Sequence, residues 1–324
     1  MDENKELIKN ALNEVSKKFG KEAIMLMGDS KVLDIETFSS GSYALDKALG
    51  INGIPKGRII EIYGPESCGK TTLSLHCIAE VQKLGKIAAF IDAEHSIDPI
   101  YAKNIGVDID NLILSQPDSG EQALEIVDML AKSGYIDLIV VDSVAALVPE
   151  AELQGEMKDQ QIGLQARLMS KALRKITASL NKNNTTVIFI NQIREKVGVI
   201  FGNPETTTGG RALKFYSSIR IEVRKGTVLA DGKEFVGNEV RFKVVKNKLS
   251  APYKTAQSEI VFAKGIDRIG ELADLGTEMG VFAKKGAWYS YNNQNIAQGR
   301  KSLKEYILNN EEIQKEILEK LNQS

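Results

Sequence analysis

The sequence predicts an α/β fold: a central, mostly parallel sheet flanked by helices, preceded by an N-terminal helical segment and followed by a small C-terminal α/β domain. Three observations predict it. Strand-like and helix-like stretches alternate from Arg58 to Asn191, and strands separated by helices demand right-handed crossovers and parallel pairing. Ile139 to Val141 and Val187 to Ile190 are unbroken β-branched or aromatic runs, as in strands covered on both faces. Gly64-Pro-Glu-Ser-Cys-Gly-Lys-Thr71 joins the first strand-like run to a helix-like one, at the place where parallel α/β sheets bind ligands.

The elements follow in order. Leu7, Ile8, Ala11, Leu12, Val15 and Phe19 recur with the period of an amphipathic helix. Residues 1–32 therefore read as a helix and a linker, whose apolar stripe suits either its own core or a neighbouring subunit. The core spans 33–266, with strands expected at 58–63, 86–92, 137–142 and 185–191 and helices at 71–84, 120–133 and 164–181. Ile219 to Arg224, Val240 to Val245 and Glu259 to Phe262 follow on short connections and read as antiparallel strands. Residues 267–324 form the small domain, with helices around Glu271 to Met279 and Ser302 to Leu321.

Composition bounds the function. The 324 residues are 43% hydrophobic and 26% charged, enough for a full-sized core with extra modules. No apolar run of about 18 residues occurs, and Met1-Asp-Glu-Asn-Lys lacks the apolar stretch of a secretion signal. A cytoplasmic protein without a membrane partner is expected. Cys68 and Cys77 offer neither a CxxC pair nor a disulfide framework, and His76 and His95 are too few for a zinc or iron cage. With 42 basic and 43 acidic residues the net charge is −1, so any nucleic-acid binding must come from local asymmetry.

The spacing Gly-x-x-x-x-Gly-Lys-Thr has a physical reason. The backbone of Gly64, Pro65, Glu66, Ser67, Cys68 and Gly69 can wrap phosphate oxygens while the helix behind, from Thr72, points its positive end at them. Lys70 would reach the β and γ phosphates of ATP, and Thr71 would hold Mg²⁺. Each following strand also ends in a polar group: Asp92-Ala-Glu94, Asp142-Ser143 and Asn191-Gln192. Asp142, after four apolar residues, has the form of a second Mg²⁺ holder. Glu94 could orient or deprotonate an attacking water, and Gln192 could bond the γ-phosphate and report it to the segment that follows. Cys68 reads as a small side chain whose backbone does the binding.

A second ligand is expected along Leu164 to Lys196, where seven Lys or Arg face one acid, Glu195, for a net +6. Arg167, Lys171 and Arg174 share one helix face, with Met169, Leu173, Ile176 and Leu180 opposite. Two loops flank this helix, Gln154 to Gly163 and Ile193 to Gly210, the second without secondary-structure period. Its Val197, Val199, Ile200 and Phe201 suit insertion between bases of a single strand, with cations on the phosphates.

Taken with Asn191-Gln-Ile-Arg194, Gly202 to Gly210 and the string Ala212 to Arg220, these motifs identify a chain that resembles the bacterial RecA recombinase family over almost its whole length. The resemblance implies a RecA-like P-loop core and a DNA-dependent ATPase and homologous recombinase. It implies ATP-gated helical filaments on single-stranded DNA, pairing with homologous double-stranded DNA in repair, and promotion of SOS repressor self-cleavage. The N-terminal helix would then dock on the next subunit, with Phe215 coupling subunits. Lys246 and Lys248 would reach the γ-phosphate of the neighbour's ATP, and Asp98 and Tyr101 would form the adenine pocket. Loops 155–163 and 193–208 match the DNA-binding loops, with Ile162 and Val197 as apolar wedges. Arg167, Ser170, Arg174, Arg194, Gly209, Gly210 and Arg211 complete the DNA-binding set. Ile162, Val197 and Cys68 depart from the common Met, Ile and Ser, and the acidic tail of many relatives is missing, so self-inhibition through such a tail is not expected. A nucleotide-gated regulatory scaffold with little exchange activity, or a helicase-type P-loop ATPase, are the alternatives.

Overall fold

The structure is a computed structural model that describes residues 2–20, 23–24, 35–156, 163–195, 202 and 204–323. It divides into two units, 1–36 and 37–324. In the first, helix α1 (Asp2–Phe19) carries the expected stripe, with Leu7, Ile8 and Phe19 exposed. The Met25 to Ser30 linker lies outside the described residues.

The second unit opens with β1 (Thr37–Phe38), α2 (Tyr43–Leu49) and β2 (Ile54–Pro55), the two strands pairing antiparallel. Ser42 caps α2 by accepting from Leu45 N, and Gly50 ends it at φ 69°, the left-handed conformation that glycine adopts without strain. Then come β3 (Ile59–Gly64), α3 (Lys70–Lys83), β4 (Ala88–Asp92), α4 (Pro99–Ile105), β5 (Ile113–Ser115), α5 (Gly120–Ser133) and β6 (Leu138–Asp142). These are followed by α6 (Glu150–Gln154), α7 (Leu164–Asn183), β7 (Thr186–Glu195), β8 (Glu205–Thr207), α8 (Ala212–Tyr216) and β9 (Ile219–Asp231). The second unit ends with β10 (Glu234–Asn247), β11 (Thr255–Val261), β12 (Gly265–Ile266), α9 (Arg268–Glu278), β13 (Ala283–Lys285), β14 (Trp288–Tyr291), β15 (Gln294–Gln298), α10 (Gly299–Leu308) and α11 (Glu311–Gln323).

The main sheet has the order β12-β11-β10-β9-β3-β7-β6-β4-β5. From β9 to β5 every neighbouring pair is parallel. Alternate residues of each central strand face opposite sides: Ile60, Ile62, Phe90, Val140 and Ile188 pack with α3, while Ile59, Ile91, Ile139, Val141 and Phe189 pack with α5 and α7. Each such side chain, fully buried, contributes about 1.5–3 kcal/mol, so both faces must be covered. This is why the runs are continuous rather than alternating. A third apolar centre, with Leu272, Phe282, Leu303, Ile307 and Ile317, holds the last helices and strands together.

Three sequence expectations are corrected. Ile219 to Arg224 is parallel to β3 and antiparallel only to β10, because the excursion through β8 and α8 brings the chain back alongside β3. The helix expected over 302–321 is two, broken at Asn309-Asn310, and Trp288–Tyr291 before it is a strand of a small antiparallel sheet. The edge strand β5 and helix α4 were not read from the sequence; at three and seven residues they are too short for periodicity to register.

Candidate functional site

The parallel register sets the site. Gly64 lies level with Gln192 on β7, and Asp92 level with Asp142 on β6, so all four strand ends open on one edge.

The loop after β3 turns through Ser67 at φ 54° and Gly69 at φ 98° before α3 begins. Successive left- and right-handed residues turn backbone N–H groups inward as an anion-binding nest. Glycine is required twice: a Cβ on Gly64 would lie 2.2 Å from Val223 O, and one on Gly69 would lie 2.3 Å from Ile260 Cδ1. Pro65, Glu66 and Ser67 are exposed at the rim. Lys70, buried, donates to Pro65 O (2.5 Å) and Gly64 O (3.2 Å), which holds its ammonium over the loop. The fit to a bound triphosphate therefore rests on geometry, a turn that needs glycine at two points and a cation above it. Cys68 is buried, and burial pushes its thiol up, which keeps it from the thiolate that redox chemistry needs.

A cleft of about 260 Å³ continues from Ser67 through Thr72 to Tyr101, Lys225, Asn238 and Phe262. Thr72 Oγ1 and Tyr101 OH share a hydrogen bond at 2.9 Å. Asp98, which the resemblance placed in the adenine pocket, is exposed and also holds the start of α4. Its carboxylate caps α4, accepting from Ile100 N (2.8 Å) and Tyr101 N (3.1 Å), and it bears on the cleft by positioning Tyr101. Lys225 and Phe262 were missed because they arrive from β9 and from the turn after β11, more than 150 residues beyond the phosphate loop.

Thr71 Oγ1 donates to Asp142 Oδ2 at 2.7 Å, which places the two oxygen ligands expected for Mg²⁺ side by side. Burial raises the Asp142 carboxyl to about 6, with Thr71 pulling it down and Glu94 pushing it up. Glu94 is exposed, and its Oε1 accepts from Gln192 Nε2 (3.0 Å) and from Ser143 Oγ. Two residues proposed separately from strand-end position thus share one carboxylate oxygen. Ser143, singled out only as Asp142's neighbour, fixes that oxygen. Asp92 does not join them: fully buried, it accepts from Ser96 N (3.0 Å) and Gln116 Nε2 (3.1 Å) and shapes the turn.

Lys246 and Lys248 come together at the end of α8. Lys246 Nζ donates to Lys214 O (2.6 Å) and Phe215 O (3.2 Å), and Lys248 Nζ donates to Phe215 O (3.2 Å). The Phe215 ring above them is 71% exposed. Burial, then the nearby Lys248 and Arg220 charges, lowers Lys246 to about 8.

On α7, Arg167, Lys171 and Arg174 are exposed, Ser170 is half-buried, and Met169, Leu173, Ile176 and Leu180 are buried as predicted. The charge count needs correction. Lys175 pairs with Asp128 (2.7 Å), as does Lys132 (2.6 Å), so it fastens α7 to α5. Strands also enter 193–208, which the sequence did not announce: β7 runs on to Glu195, and β8 pairs with it antiparallel, Arg194 opposite Thr206. Gly209 and Gly210 lie at φ 76° and 77°, their absent side chains filled by Val144 and Ala166. Gln165 ties this turn down, accepting from Gly209 N and donating to Val144 O, a role no sequence signal announced. Arg194 and Arg211 are exposed on either side of the loop. Ile162 and Val197 lie outside the described residues.

His76 accepts from Ile266 N (2.8 Å), and burial lowers it to about 4. No helix among the described residues is long and apolar enough to cross a membrane.

Comparison with known proteins agrees over the full length. The family described as RecA N-terminal domain matches residues 6–267, and the RecA C-terminal domain matches residues 270–324. Protein RecA of Mesomycoplasma hyopneumoniae strain 7448 is 69% identical over 324 residues, covering 99% of this chain and 96% of that protein. Protein RecA of Mycoplasma mobile is 69% identical over 314 residues, 97% of this chain and 95% of that one. Protein RecA of Oceanobacillus iheyensis is 58% identical over 323 residues, 100% of this chain and 93% of that one.

Proposed function

The chain belongs to the RecA family, and from that premise we propose an ATP-gated recombinase that forms helical filaments on single-stranded DNA and pairs it with a homologous duplex. At its coarser level the family carries DNA-dependent ATP hydrolysis and a part in DNA recombination and repair. The observation that carries the finer reading is the carboxylate oxygen of Glu94 shared by Gln192 and Ser143. It joins the hydrolytic site to the residue just before the DNA-facing loop.

The chemistry divides among the residues. Mg²⁺, when bound, neutralises developing phosphate charge and polarises the γ-phosphoryl group. Thr71 and Asp142 hold it, and Lys70 with the backbone of Gly64 to Gly69 grips the phosphates. Glu94 positions a water and takes its proton. Gln192 exchanges its bond to Glu94 for one to the γ-phosphate, which draws β7 and the loop behind it into the DNA-holding arrangement. Tyr101 and Thr72 face the nucleoside, with Asp98 acting through the turn it caps. Lys246 and Lys248 act on a neighbour's nucleotide across the joint marked by Phe215, and the N-terminal helix docks on an adjoining subunit. Arg167, Ser170, Arg174, Arg194 and Arg211 take the strand's phosphates, Gly209 and Gly210 allow its close approach, and Ile162 and Val197 are the wedges. Promotion of SOS repressor self-cleavage belongs to the same proposal.

The test is ATP turnover with and without single-stranded DNA, paired with imaging of the assembled protein. Strong stimulation and open filaments are expected; unstimulated turnover, or closed rings, defeats the proposal. Gln192→Ala should bind ATP yet fail to tighten on DNA, and ATP-driven tightening that survives it removes the switch.

A further inference from the structure

Glu61 is an anomaly in the strand that feeds the phosphate loop. It is fully buried between Ile60 and Ile62, where an unpaired carboxylate would be strongly destabilising. Both of its oxygens are engaged. Oε2 is ion-paired with Arg220 of β9, and Oε1 accepts from Asn191 Nδ2 at 2.9 Å. The Asn191 amide is in turn saturated. Its Nδ2 also donates to Thr208 O (3.1 Å), while its Oδ1 accepts from Thr208 Oγ1 (2.5 Å) and from Gln192 N (2.9 Å). Two donors and two acceptors fill the four places an amide has, so the group cannot turn without breaking bonds on both sides. The Glu61 carboxylate also dictates which way it points, since only the NH₂ can face it.

The two ends of this chain of bonds matter. One end is Thr208, where residues 193–208 rejoin the core beside Gly209. The other is Arg220, which stacks over Tyr63 (4.5 Å to the ring centroid) and is the direct strand partner of Lys246. Gln192 is attached at the middle through its own backbone N–H.

We propose that Glu61 is a positioning residue: through Asn191 it sets where the DNA-facing loop rejoins the core, and through Arg220 it sets the strand that carries Lys246. The inference rests on the Gln192 switch proposed above and extends it. A movement of Gln192 is delivered to both ends at once, so that loop and inter-subunit cation change together rather than in turn. Glu61 touches no phosphate and takes no proton.

The experiment is a double-variant cycle on the full chain, read as the ratio of single-stranded DNA affinities with and without a non-hydrolysable ATP analogue. Glu61→Gln keeps the volume but sets an NH₂ against either Asn191 or Arg220. Thr208→Val removes the hydroxyl at the far end. Each should reduce the ATP-driven tightening about tenfold with the KM for ATP within about twofold of the parent, and together they should lose little more than either alone, since both cut one path. Losses that multiply overturn the relay, as does tightening that survives Glu61→Gln. Thermal unfolding of each variant separates loss of fold from loss of coupling. If Glu61→Gln does not fold, Arg220→Lys against Thr208→Val runs the same cycle from the two ends. Gln192→Ala, measured alongside, tells the two proposals apart: if it retains tightening, the switch itself falls, whereas multiplicative losses beside an inactive Gln192→Ala defeat only the relay.

Discussion

Glu271 gives a prediction whose size can be worked out from its surroundings. It sits in the first turn of α9, 3% exposed, and its carboxylate reaches the start of α2. Ser42 Oγ donates to Oε1 at 2.6 Å, and Tyr43 N donates to Oε2 at 2.7 Å. Burial raises its pKa from 4.5 to about 7, with the hydrogen bonds pulling the other way. The folded chain therefore binds a proton that the unfolded chain has released over this interval. Stability from this group is complete below pH 4.5 and is lost as pH rises through about 7. At ~1.36 kcal/mol per pH unit the interval is worth about 3 kcal/mol. Glu271→Gln carries no charge at any pH and keeps one acceptor for Ser42 or Tyr43. It should be about 1 kcal/mol less stable than the parent near pH 5, from one lost hydrogen bond, and more stable by about 2 kcal/mol near pH 8. Urea unfolding of both proteins at pH 5, 6, 7 and 8 reads the crossing directly. Parallel curves, with no crossing, would refute the assignment of a buried proton to Glu271.

Three further outcomes are expected. Glu94→Gln should lower kcat by about 10²- to 10⁴-fold, the usual contribution of a general base, with ATP affinity nearly unchanged; ordinary turnover in that variant removes Glu94 from water activation. Gly209→Ala forces a φ of 76° on alanine and sets its Cβ 2.8 Å from Val144 Cγ1, which should destabilise by about 2–4 kcal/mol; an unshifted urea midpoint would contradict the packing. Lys246, lowered to about 8 by burial and by Lys248 and Arg220, is charged below that pH and neutral above it. The kcat/KM for ATP should therefore fall about tenfold between pH 7 and 9, and Lys246→Arg, which stays charged, should flatten that limb; identical profiles would show that the lysine charge is not used.

What was legible in the sequence followed from strand periodicity. Runs such as Leu138 to Val141 locate a strand's end to within a residue, and the polar groups placed there, Glu94, Asp142 and Gln192, do meet. Arg167, Lys171 and Arg174 were legible in the same way, from the face opposite Met169 and Leu173. Partnerships were not legible. Asp98 reads only as a ligand until Ile100 N and Tyr101 N are seen to share its Oδ1. Glu61 looks like a misplaced charge in an apolar strand because its partner Arg220 stands 159 residues away. Lys175 counted toward a DNA-binding face until Asp128 claimed it. Periodicity reports which way a side chain faces, and only the fold reports what it meets.

The carbonyls that end α8 have a consequence for how subunits would communicate. Lys246 and Lys248 satisfy Lys214 O and Phe215 O, acceptors that a helix terminus otherwise leaves open. An anion that drew both ammonium groups toward itself would take them from that terminus. The two acceptors then need other donors, and the short helix beneath Phe215 loosens or shifts. Nucleotide and aromatic contact draw on the same pair of cations. In the proposed filament, a neighbour's ATP and the exposed Phe215 would therefore be thermodynamically linked, each sensing the other without any longer pathway between them.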